Sequence, residues 1–323
     1  MATMGSDFID SNIRGNRWHS AVLVAGMIGI LAFIGWFIAG TAGLVISTGL
    51  CLFTVVLGPA VSPQFVLRMY KAQPIEEHHS PQLMALYAEL IRRANLSTSP
   101  TLYYIPSRTL NAFAVGNRKQ SAVAITDGLL RVLEPREIAG VLAHEISHIR
   151  HRDMLVLGIA DTVSRIIATI SQIGQFLLLL AIPTFLMSGN LGFLIVALVL
   201  FASPVLSNLL QLALSRTREF NADLGAVALT GDAAGLASAL QKLERITSGK
   251  RFPWLIPGRK GQTAPATLRT HPPTEERIRR IMEAGESIAT DRGGESWNRS
   301  RRLSASQDRV RRGPRWHATG LWY

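Results

Sequence analysis

The stretch Val-Leu-Ala-His-Glu-Ile-Ser-His-Ile-Arg places His144 and His148 four residues apart, with Glu145 beside the first. On a helix, residues four apart share a face, so two imidazoles at this spacing reach one zinc ion. A carboxylate beside them can polarise a metal-held water and shuttle its proton. The chemistry so encoded is metal-assisted hydrolysis, because zinc lowers the pKa of its water toward about 7. The helix is expected independently. Pro135 suits a first turn, the pattern runs on through Arg152, and Val141, Leu142 and Ile146 supply a buried face.

A catalytic zinc takes three protein ligands and keeps one position open. His151 is seven residues from His144, near the same face, but one rigid helix makes its reach to the same ion awkward. The ten-residue His-to-His spacing of metzincins is absent, since that position is Met154. Glu219 is the better third candidate, in Ser-Arg-Thr-Arg-Glu-Phe-Asn-Ala-Asp. Glu219 and Asp223 are four apart on an expected helix, so one can bind metal while the other orients a ligand histidine. The competing reading is a solvated acidic pair beside Arg216 and Arg218.

These residues need elements to position them. Two 50-residue stretches, Trp18–Leu67 and Ile166–Ser215, contain no Asp, Glu, Lys or Arg. A membrane-spanning helix needs about 20 apolar residues, so each stretch holds two spans. The pairs are expected near Ser20–Ala39 and Ala42–Val61, and near Ile166–Met187 and Leu191–Leu212. Gly40-Thr41 and Ser188-Gly189-Asn190 make the turns. Arg14, Arg17, Arg68, Lys71, Arg150, Arg152, Arg216 and Arg218 all flank the ends opposite those turns. The positive-inside rule puts these ends and both termini in the cytoplasm. Between the hairpins, Glu76–Ala94 reads as an amphipathic helix, and Leu102–Ile105, Asn111–Gly116 and Ala122–Ile125 as short strands. After the second hairpin, Asp232 caps a helix through Ile246, Ser248–Thr267 is a loop, and Thr274 caps a helix ending near Ala284.

The expected organisation is therefore an N-terminus (1–17), a first hairpin (18–67), a first catalytic segment (68–153), a second hairpin (154–215), a second catalytic segment (216–285) and a basic, disordered tail (286–323). Composition agrees with a membrane protein: 48% of residues are hydrophobic and only 17% charged. The single cysteine, Cys51, excludes an internal disulfide and a thiolate zinc cluster. The net charge of +12 follows partly from the flanking arginines. The eight arginines after residue 285 are not interleaved with a nucleic-acid-binding fold, so no specific nucleic acid is expected.

Taken together, His-Glu-Ile-Ser-His followed by Arg-Asp, then Arg-Glu-Phe-Asn-Ala-Asp, then Thr-His-Pro-Pro with Glu-Arg-Ile, resemble the HtpX-like family of membrane zinc proteases, relatives of the CAAX prenyl endopeptidases. The resemblance runs from Arg14 to about Ala284. It implies an α+β, mainly helical fold, with a zincin-like (gluzincin) catalytic domain and four transmembrane helices as two inserted hairpins. It implies one zinc ion per chain, with Glu219 as third ligand and Asp223 supporting it. Asn111 would belong to an edge strand that pairs with substrate backbone. His271 would lie near the scissile carbonyl and stabilise the oxyanion, and Arg277 would give structural support. Asn111 as a turn residue and His271 as a helix-entry residue stay open as alternatives. The implied partners are the plasma-membrane bilayer and protein substrates, chiefly misfolded membrane proteins under stress. Two other classes are weighed. A structural or vestigial zinc site would favour four protein ligands and cysteines. A transporter would need polar groups at mid-membrane, where only Gln172, Gln175 and Asn208 are on offer.

Overall fold

The computed structural model describes residues 4–57, 63–116, 120–189, 191–248 and 274–291. The chain divides into two compact units.

One unit takes, of the described residues, those of 4–13, 63–152 and from Glu219 on. Its elements are α2 (Pro63–Met69), β1 (Gln73–Pro74), α3 (Pro81–Ala94), β2 (Thr101–Ile105), β3 (Ala112–Gly116), β4 (Ser121–Thr126), α4 (Asp127–Val132) and α5 (Pro135–His151). The end of α7 from Glu219 to Thr230, α8 (Ala233–Ser248) and α9 (Thr274–Asp291) complete it. The sheet order is β1-β2-β4-β3, with β2 parallel to β4 and the other pairs antiparallel. β3 is thus an edge strand. Alternation along β4 builds two cores. Val123 and Ile125 join a large cluster with Leu142 and Ile146 of α5, Val227 of α7, Leu236 of α8 and Ile281 of α9. Ala122 and Ala124 face the other way, against Leu67 of α2 and Ile105. Leu142 and Ile146 are fully buried, each contributing about 2 kcal/mol of apolar burial.

Local chemistry explains the element ends. α5 opens on Pro135 behind a capping box between Glu134 and Glu137, and closes on Arg152 in the left-handed region. Buried Glu137 also takes Ser238 Oγ at 2.5 Å and Lys242 Nζ at 2.8 Å from α8. Asp232 accepts the Gly235 N–H at 2.9 Å, as a capping residue should. The three strands expected from short β-rich runs fall within a residue of their predicted limits. Two helix limits differ from expectation. α3 starts at Pro81 rather than Glu76, because a residue preceding proline disfavours the helical region and Glu76–His79 closes its own turn. α9 runs past Ala284 to Asp291, because Ile288 still packs on the core.

The other unit is built from long apolar helices: α1 (Met4–Leu57) from Arg14 on, α6 (Asp153–Ser188) and α7 (Leu191–Thr230) up to Arg218. Among the described residues, three helices are long and apolar enough to cross a membrane, and no more than 22% of the most apolar window of each is buried inside the protein. Side chains such as Phe33, Phe176, Leu179 and Met187 point outward. So much exposed apolar surface suits lipid rather than water. α1 is broken at Ala39 and Gly40, the latter at φ +59°, a conformation glycine adopts without strain. The halves fold back on each other: a Cβ added to Gly35 would collide with the Gly43 backbone and with Ser47. The break falls at the expected Gly40-Thr41 turn. α6 and α7 extend well beyond the apolar windows predicted from sequence, since no helix-breaking signal stops them at the charged ends. Asp161 and Arg165 pair at 2.7 Å, as charges in such a helix should. Buried Asp153 and Arg218 pair at 2.9 Å.

Candidate metal centre

The i,i+4 spacing on α5 delivers both histidines to one spot. The Nε2 atoms of His144 and His148 lie 3.1 Å apart, with rings nearly perpendicular. Helix α7 brings Glu219 to the same place. Its Oε2 is 3.5 Å from His144 Nε2 and its Oε1 3.8 Å from His148 Nε2. A tetrahedral zinc with bonds of 2.0–2.1 Å separates its donors by about 3.3–3.4 Å, so separations of 3.1, 3.5 and 3.8 Å fit such an ion. The donor set, two imidazoles and a carboxylate, also suits zinc. His144 and Glu219 are buried, and the His148 side chain is only 12% exposed.

Behind the donors lies a closed set of charges. His144 Nδ1 sits 2.9 Å from Asp223 Oδ1, which fixes the ring and turns Nε2 toward the other donors. Arg277 of α9 donates to both Asp223 oxygens, at 2.8 and 2.7 Å, and its Nη1 lies 3.2 Å from Glu219 Oε2. One guanidinium thereby balances two buried carboxylates. Burial disfavours charge on His144, but the Asp223 and Glu219 carboxylates outweigh it and push its pKa up to about 10 in the metal-free protein. Burial would raise Asp223, yet Arg277 holds it below the ordinary carboxylate range. Burial opposes the charge on Arg277, but Asp223 and Glu219 raise its pKa further. Arg280 stacks over the Phe220 ring at 3.8 Å, a second tie between α9 and α7.

Glu145, next to His144 on α5, reaches the sheet from the edge of this set. Its Oε2 accepts the Ala114 N–H at 2.9 Å. The register explains why that N–H is available. The Thr126 N–H donates to the Asn111 carbonyl at 3.0 Å, so in the antiparallel ladder Phe113 and Val115 turn their amides toward β4, while Ala112, Ala114 and Gly116 turn theirs outward. Asn111 itself lies just before β3. Its N–H donates to Thr126 Oγ1 at 3.0 Å, and its carbonyl also accepts that hydroxyl at 2.8 Å. His271 falls outside the described residues.

The structure thus gathers His144, Glu145, His148, Glu219, Asp223 and Arg277 into one site. His151 is not part of the donor triangle. Sequence reasoning missed the Ala114 amide, because a backbone donor has no residue-type signal; only the strand register reveals it. Another group, Glu76, His78 and His79, also has potential donor atoms within 4.8 Å of one another. All three are exposed, and they precede the N-terminus of α3, whose partial positive charge opposes a cation.

Changing Asp223 to Asn should lower zinc affinity by roughly 10–100-fold, the usual cost of losing an outer partner of a ligand histidine. Competition against a chromogenic chelator measures this. An unchanged affinity would show that the carboxylate does not tune His144.

The fold and site define a class. The model of peptidase family M48 matches residues 77–284, and the chain belongs to that family. Among curated proteins it is similar to the protease HtpX homologue of Trichormus variabilis, 34% identical over 297 residues that cover 85% of this chain and 99% of the relative. It is similar also to the protease HtpX homologues of Nostoc punctiforme, at 35% over 288 residues (85% of this chain, 99% of the relative), and of Burkholderia ambifaria, at 37% over 292 residues (83% and 96%). Family, relatives and the long apolar helices together make this chain a membrane metalloprotease.

Proposed function

We propose that the chain is a zinc-dependent endopeptidase of the membrane, binding one zinc ion through His144, His148 and Glu219. The observation that carries this reading is the buried donor triangle with Glu145 beside it, aimed at an edge strand. Zinc held there supplies a Lewis acid and makes water available as a nucleophile near neutral pH. Substrate adds to β3 as a further strand, using the outward amides and carbonyls of Ala112 and Gly116 and the outward carbonyl of Ala114, whose amide stays with Glu145. This lays the peptide along the strand that Glu145 touches. Glu145 takes the proton of the attacking water and returns it to the amine nitrogen as the peptide C–N bond breaks. Asp223 and Arg277 keep His144 and Glu219 oriented throughout. The Asn111 side chain contacts bound substrate, and His271 donates to the oxyanion.

The same reading covers the membrane part. Four spans form two hairpins, a count supported by the fold-back of α1 at Gly40. The flanking arginines favour termini and active site on the cytoplasmic side of the plasma membrane. The substrates are misfolded membrane proteins, cleaved as part of quality control under stress. A chelator should abolish cleavage of casein or of an unfolded membrane protein by the detergent-purified chain. One equivalent of zinc should restore it. Full activity in the stripped protein would defeat the proposal.

A further inference from the structure

Helix α7 comes close against α5 where Gly225 meets Ser147. A Cβ built on Gly225 would overlap the Ser147 hydroxyl, and would stand 2.9 Å from the Ser147 Cβ and 3.5 Å from a ring carbon of His151. Ser147 is fully buried, and its hydroxyl finds no hydrogen-bond partner among the described residues. What matters at this contact is therefore size rather than polarity.

The contact lies in the middle of the metal centre's scaffold. On α5, Ser147 is three residues from His144 and one from His148. On α7, Gly225 is two residues from Asp223 and six from Glu219. At 1.5 Å of rise per residue, no donor is more than about 9 Å along its helix from this point. The separation of the two helices here is carried directly into the His144–Glu219, His148–Glu219 and His144–Asp223 distances of 3.5, 3.8 and 2.9 Å.

We propose that Gly225 is a positioning residue for the metal: its missing side chain lets α7 approach α5 closely enough for Glu219 to close the donor triangle. The proposal rests on the zinc reading above. Non-bonded carbons settle at about 3.5–4.0 Å, so alanine at 225 forces the helices apart by up to about 1 Å. A metal site tolerates displacements of only about 0.5 Å. Neither neighbour can yield cheaply, since Ser147 is held in a packed helix and the flank is occupied by His151.

The test uses the full-length, tag-free protein in detergent, with zinc affinity from chelator competition and the visible spectrum of the cobalt(II)-substituted form. Gly225→Ala should weaken zinc binding at least about tenfold, comparable with loss of an outer partner of a ligand, and should alter the cobalt spectrum. Ser147→Ala and Ser147→Gly should bind as the wild type does. The double variant Ser147→Gly with Gly225→Ala moves the missing atoms across the interface, and should return affinity and spectrum to near wild type. Wild-type affinity and spectrum in Gly225→Ala would overturn the proposal. So would a double variant no better than Gly225→Ala, including the case where neither folds. A wild-type chain that binds no metal at all would instead remove the zinc reading beneath it.

Discussion

Changing Glu145 to Gln should leave one zinc bound per chain and lower the turnover number by roughly 10²–10⁴-fold, the range that a positioned acid–base group contributes. The two halves of this expectation have separate causes. Glu145 is not one of the three donors, and its carboxylate engages the Ala114 amide of β3 instead. Glutamine keeps the length, and its carbonyl oxygen can still accept that N–H. What it loses is basicity: it cannot take a proton from water, nor hand one to the departing amine. The readouts are metal content and the rate of casein cleavage, wild type beside variant. Persistent proteolysis by the variant would remove Glu145 from the chemistry. Loss of metal with loss of activity would make it a ligand or a structural residue.

Changing Glu219 to Ala has the opposite signature, with metal lost first and activity as a consequence. The expected drop in zinc affinity exceeds the roughly 10–100-fold cost of an outer partner, because one of three protein donors disappears. His144 and His148 alone leave an ion with two protein ligands on a single helix turn. The fold should survive the change. Arg277 would keep both of its bonds to Asp223 and so would not become an unpaired buried charge. Thermal unfolding of the metal-free proteins tests this, and metal content tests the ligand role. Unchanged zinc content in the variant would exclude Glu219 from the coordination. Comparison with Asp223→Asn ranks the two carboxylates: Glu219, the one in the donor triangle, should cost more.

How much of this was legible in the sequence follows from the distance over which each signal acts. The histidine pair and Glu145 were readable because a helix converts a spacing of four into a shared face, and α5 carries its own start signal in Pro135. The apolar stretches were readable because lipid selects composition over some 20 residues. The strands were readable as short β-rich runs, and β4 is apolar throughout because it covers two cores. Helix ends were less legible. α9 continues to Asp291 because Ile288 finds a place on the core, which no window of sequence can foresee. The Glu219–Asp223 pair was visible as a pair, but a solvated face gives the same pattern. Only its burial against His144 and Arg277 separates the two readings.

By itself, then, the sequence determined which residues could do the chemistry: His144, Glu145 and His148 on one helix turn, and the arginine-flanked hydrophobic runs that place the chain in a membrane. The tertiary structure decided what those residues work with. It carries Glu219 back from beyond α6 and most of α7 to complete the triangle. It turns the Ala114 amide toward Glu145 through strand register, and brings α7 against α5 at Gly225 and Ser147. The reason is physical. Helical periodicity acts within a few residues, whereas a donor triangle closed to within tenths of an ångström is set by packing between segments far apart in the chain.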